Sequence, residues 1–162
     1  LGRGDEIVVN QQELERRRDE SYDYYSAEIP ADEAYTFLFR RKDAVYEANV
    51  FAPPAVQITE PAPDARLSRA AGFNVAWSGA QNDRAAVEVN GEKIVPYSQS
   101  VLDAGFFAVP PGKVEATEAA DTLETPAVVA VTRSNWSEAL SPEMDGVVVA
   151  RMRAEVPAVS VP

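Results

Sequence analysis

Neither cysteine nor histidine occurs anywhere in the chain. Without cysteine there is no disulfide framework, no thiolate nucleophile and no zinc–thiolate site. Without histidine, the commonest general base and metal ligand near neutral pH is missing. Cys–His and Ser–His–Asp catalysis are therefore excluded, as are most zinc hydrolases. Carboxylate, tyrosine and lysine chemistry survive these exclusions.

Long hydrophobic runs are missing too. The longest apolar stretches, such as Ala127–Val131 and Gly146–Ala150, have strand length, well short of the roughly 18 residues that span a bilayer. Positive charge is in short supply, with 15 Lys and Arg against 26 Asp and Glu, a net charge of −11. Both parts of the chain are acidic: 12 acids face 7 bases over 1–54, and 14 face 8 over 55–162. Binding phosphates needs a basic stripe, so nucleic acid is not an expected partner. The balance reads as an acidic, solvated exterior. No initiator methionine and no signal-peptide pattern opens the sequence, which reads as a mature or trimmed chain.

Apolar residues make up 46% of the 162, enough for a packed core and too many for a disordered tail. This length holds one ordinary domain, or one of about 100 residues beside a smaller module. Short strand-like runs recur between turn signals, which is the all-β pattern. The N-terminal runs are Ile7–Val9, Tyr24–Ile29, Tyr35–Arg40 and Ala44–Phe51. Arg41-Lys42-Asp43 is short enough to close a hairpin between the last two. Tyr46, Ala48 and Val50 alternate with Glu47 and Asn49, giving one buried and one wet face.

Pro53-Pro54 interrupts the pattern and marks a domain boundary. Beyond it come runs at 56–59, 66–68, 73–77 and 85–90, then 92–95 after an Asn90-Gly91 turn. Runs at 106–109, 128–133 and 147–156 complete the set. One segment fits two forms. Asn10-Gln11-Gln12-Glu13 is a capping box before good helix formers, which supports a short helix over 11–20. The same residues also suit a charged hairpin loop. Residues 7–14 and 87–94 align at an offset of 80, as a diverged half-domain repeat or merely as two similar hairpins.

Residues 58–79 carry Ile58-Thr59-Glu60-Pro61, then Leu67, then Phe73-Asn74-Val75-Ala76-Trp77 before Ser78-Gly79. This segment resembles the opening of a bacterial immunoglobulin-like or fibronectin type III-like envelope domain. Phe106–Gly112 resembles the family's strand ending in a Pro-Gly turn, and Val128–Ser134 its penultimate strand. The resemblance covers 55–162 and implies an immunoglobulin-like β-sandwich preceded by a small β-rich module over 1–54. It further implies an extracytoplasmic protein of the periplasm or cell surface, a bacterial lipoprotein with a lipid anchor upstream of Leu1. The chain departs from the antibody pattern in lacking a cysteine pair and a tyrosine within 128–133 for a tyrosine corner.

Candidate sites follow from residue type. Trp77, on its alternating face, is expected as the core tryptophan. Trp136 lies in the polar connection Ser134–Glu138, where an exposed indole can stack on a sugar or anchor a protein; folding back over the core is the other reading. Tyr22, Tyr24 and Tyr25 stand beside Asp19, Glu20 and Asp23, a combination that suits carbohydrate binding as well as a plain strand. Arg16-Arg17-Arg18 is flanked by acids that neutralise it. Asp83, Asp103, Glu118, Asp121 and Glu124 are loop acids, but no calcium-loop motif unites them, so no metal or cofactor is assigned. For an enzyme, a carboxylate pair acting as acid and base on a glycosidic bond is the option weighed, and no insertion longer than the 112–125 connection builds a cleft for it. The expectation is a non-enzymatic binding or spacer module whose partner is an envelope protein or glycan.

Overall fold

The computed structural model describes residues 5–18, 23–26, 29–81, 83–117, 122–137 and 148–162. The fold is all-β, with no helix among the described residues. The chain forms two compact units. The first comprises Leu1–Pro53 with Asn135–Ala150, and the second Pro54–Ser134 with Arg151–Pro162. Residues 135–150, expected to lie with the sandwich, therefore group with the N-terminal module.

The first unit holds β1 (Glu6–Val9), β2 (Gln12–Glu13), β3 (Glu15–Arg18), β4 (Asp23–Ser26), β5 (Ala34–Arg41) and β6 (Ala44–Phe51). One sheet has the order β2-β1-β5-β6, and β3 and β4 form a separate hairpin. The expected helix over 11–20 is replaced by β2 and β3 as far as residue 18; residues 19 and 20 lie outside the described residues. The reason is local. Asn10 and Gln11 adopt φ of 47° and 71°, the positive pair that marks a type I′ hairpin turn. Asn10 then locks that turn to the start of β5: its Oδ1 accepts from Thr36 N–H at 2.9 Å, and its Nδ2 donates to Ala34 O at 3.2 Å. A capping-box asparagine has become a turn asparagine.

β5 and β6 join through Lys42 and Asp43, with Lys42 at φ 54°. Along β6, Ala48 and Val50 are buried while Glu47 and Asn49 are exposed, the alternation that the pattern predicts. Ala48, Val50 and Val148 form the small core of this unit, flanked by Tyr35, Phe37, Phe39 and Ala150. Phe37 and Phe39 stack with ring centroids 6.3 Å apart.

The second unit is built on β7 (Ile58–Glu60), β8 (Ala65–Ser68), β9 (Phe73–Trp77), β10 (Arg84–Gly91), β11 (Ile94–Leu102) and β12 (Phe106–Val109). Most of two long strands, β13 (Thr125–Trp136) and β14 (Val149–Val161), completes it. A five-stranded sheet has the order β11-β10-β13-β14-β8, with β14 and β8 parallel, and a three-stranded sheet has the order β12-β9-β7. Leu67, Val75, Trp77, Val87, Val129 and Val156, drawn from both sheets, share one buried core. This is sandwich packing, with inward residues alternating along each strand.

The turn expected at Asn90-Gly91 sits two residues later. Gly91 pairs with Ile94 across Glu92 and Lys93, after an irregularity between Val89 and Gly91. Gly91 is a strand residue, and a Cβ there would stand 2.5 Å from Pro126 O. Its glycine serves the close approach of a neighbouring backbone, not a turn. The turn at residues 10–11 therefore has no counterpart at 90–91, and the offset-80 alignment breaks at that point.

Candidate functional site

Among the described residues several clusters bring polar or aromatic side chains together, and the one around Trp77 is internal. Trp77 is only 4% exposed, as expected for the core tryptophan. Its Nε1 donates to Asp103 Oδ1 at 2.6 Å, and Arg133 Nε donates to Asp103 Oδ2 at 2.7 Å. Arg133 also donates to Ala55 O at 2.7 Å, Ser78 O at 2.9 Å, Pro54 O at 3.2 Å and, at close range, Gly79 O. Asp103 and Arg133 are 1% and 2% exposed. Such a pair is tolerable inside a protein only because every charge is matched and hydrogen-bonded.

Burial by itself would push the Asp103 carboxyl up. Hydrogen bonds from Arg133 and Trp77, the guanidinium charge and the Gln81 N–H outweigh it and hold the group below the usual carboxylate range. Asp103, considered above as a loop acid for calcium, thus has its oxygens committed to this pair. Glu124 is paired with Arg66, and residues 118 and 121 lie outside the described residues. Among the described residues no group of three acids is placed to hold a metal ion. Sequence reasoning missed the Trp77–Asp103–Arg133 cluster. Its one sequence signal is an arginine continuing the apolar run Val128–Val131.

Trp136 is not in a loop. It is the last residue of β13 and is 62% exposed. The backbone on either side is fixed. Asn135 Nδ2 donates to Phe51 O at 3.1 Å, Ser137 N–H to Val148 O at 2.8 Å, and Val148 N–H to Ser137 Oγ at 2.9 Å. Phe51, at the end of β6, is 71% exposed. The indole is thus left in water at the end of a held strand.

Tyr25 lies on β4 opposite Arg16, and its hydroxyl donates to Asp5 O at 3.3 Å. With Glu6, Glu13, Glu15 and Arg16 it lines a groove of about 420 Å³. Tyr24 stands opposite Arg17 in the backbone register of the hairpin, and Tyr22 lies outside the described residues. Arg17 pairs with Glu15 at 3.3 Å on the same strand.

No family model matches the chain, and no curated protein is significantly similar to it.

Proposed function

We propose that this chain is a non-enzymatic, extracytoplasmic binding module of the bacterial cell envelope, and that it engages another envelope protein through Trp136. The observation that carries the reading is the exposed indole on an anchored strand end. Large aromatic anchors on a rigid frame lose little conformational entropy on binding and dominate the energetics of protein interfaces. The envelope location and the lipid anchor rest on the resemblance of residues 55–162 to bacterial immunoglobulin-like domains.

A second reading, glycan binding, is favoured by the groove at Tyr25. An aromatic ring beside several carboxylates supplies a stacking face and hydroxyl acceptors together.

Affinity capture from a solubilised envelope extract separates the two. Wild type and Trp136→Ala are run side by side after circular dichroism shows both folded. A protein recovered by wild type and lost with Trp136→Ala supports the first reading. Equal recovery by both forms, or none by either, sets it aside and sends the test to glycans.

A further inference from the structure

Strand β6 is the last strand of its sheet among the described residues. Its pairing with β5 runs without a register shift from Arg41↔Ala44 to Ala34↔Phe51. Arg41 and Ala44 flank a two-residue turn, so they form the hydrogen-bonded pair that closes the hairpin. Alternation then turns the N–H and C=O groups of Val45, Glu47, Asn49 and Phe51 away from β5. Two contacts agree with this phase: Ala52 N–H faces inward to Glu33 O at 2.9 Å, and Phe51 O faces outward to Asn135 Nδ2. Residues 44–51 contain no proline, no lysine and no bulge, which are the usual devices that blunt an open edge.

The side chains of this edge complement themselves. We infer that β6 pairs antiparallel with β6 of a second copy of this chain, about a twofold axis at Ala48. That register sets Val45 against the second copy's Phe51, and Glu47 against its Asn49. Both apolar residues are exposed in the single chain, at 61% and 71%, and a branched residue facing an aromatic is a favourable cross-strand pair. Each carboxylate meets an amide, a donor it already uses within one chain, where Asn49 Nδ2 reaches Glu47 Oε1 at 2.8 Å. Ala48, small and directed inward, meets its own copy at the axis.

Neighbouring registers are worse for stated reasons. An axis at Glu47 opposes two carboxylates, and like charges directly opposite destabilise a ladder. An axis at Asn49 sets Val45 against Pro53, which has no N–H to give. An axis between residues would match outward groups with inward ones. Phe51 O, already holding Asn135, keeps a second lone pair for the new strand. The net charge of −11 on each copy opposes association, and physiological salt screens it beyond about 8 Å. This inference is independent of the envelope partner proposed above.

Sedimentation equilibrium at physiological salt tests it, with wild type, Asn49→Lys and Asn49→Glu. Position 49 faces the acidic Glu47 twice by symmetry. Reversible dimerisation is expected for wild type, tightened by Asn49→Lys and weakened by Asn49→Glu, each by roughly two- to thirtyfold. Gln99→Lys and Gln99→Glu, exposed on β11, make the same changes of net charge away from this edge and are expected to shift the constant far less. Circular dichroism establishes that all variants are folded. Monomers at every concentration, a dimer indifferent to residue 49, or equal shifts at residues 49 and 99 would each overturn the inference.

Discussion

Asp103 and Arg133 are 30 residues apart in sequence and share a buried hydrogen bond of 2.7 Å. Removing one partner strands the other in a medium where an unpaired charge is expensive. Asp103→Ala is therefore expected to lower stability by about 3–5 kcal/mol in urea unfolding, the range for a broken buried pair. The carboxyl is held below its unfolded value near 3.9. Its contribution is fully present above that value and is lost as pH falls through the lower, folded one. Wild type should lose this increment on acidification below about pH 4, and Asp103→Ala should not. Equal acid sensitivity of the two proteins would show that the carboxylate is not the titrating group. Trp77 was legible as core from the period-2 stripe it shares with Phe73 and Val75. Its partner was not, because loop acids carry no mark of burial and Asp103 lies 26 residues from Trp77.

The β1–β2 hairpin shows why local motifs mislead at the scale of elements. Asn10-Gln11-Gln12-Glu13 satisfies a helix cap, but asparagine also tolerates the left-handed region that a type I′ turn demands. Gln11 occupies that region at φ 71°, where a side chain costs energy that glycine avoids. Gln11→Gly is expected to stabilise the first unit by roughly 0.5–1 kcal/mol in thermal or urea unfolding; a loss of stability would contradict the turn. Strand ends were also misjudged where proline intervened. Pro157 reads as the end of β14, yet the strand continues to Val161. The registered pairs with β8 begin only beyond it, at Ala158↔Ala65. The hairpin of β5 and β6, by contrast, follows directly from two alternating runs and a short polar link.

At the scale of the molecule the described residues are all-β, and this much follows from short apolar runs between turn residues with no helical period sustained. The break at Pro53-Pro54 is equally visible. The assignment of residues 135–150 to the first unit is not, because it depends on Val148 and Ala150 packing with Ala48 and Val50, a pairing across about 100 residues that no local pattern encodes. Trp136 stood out as a tryptophan in polar surroundings, but its position at the end of a twelve-residue strand emerged only from the fold. The functional proposal rests on that residue. It is tested most directly by placing a photo-crosslinking amino acid at position 136 in the living source organism, with position 95, also exposed, as the comparison. The account predicts a discrete adduct of one envelope protein from position 136 and none from position 95. The same adducts from both positions, or none from position 136, would contradict it.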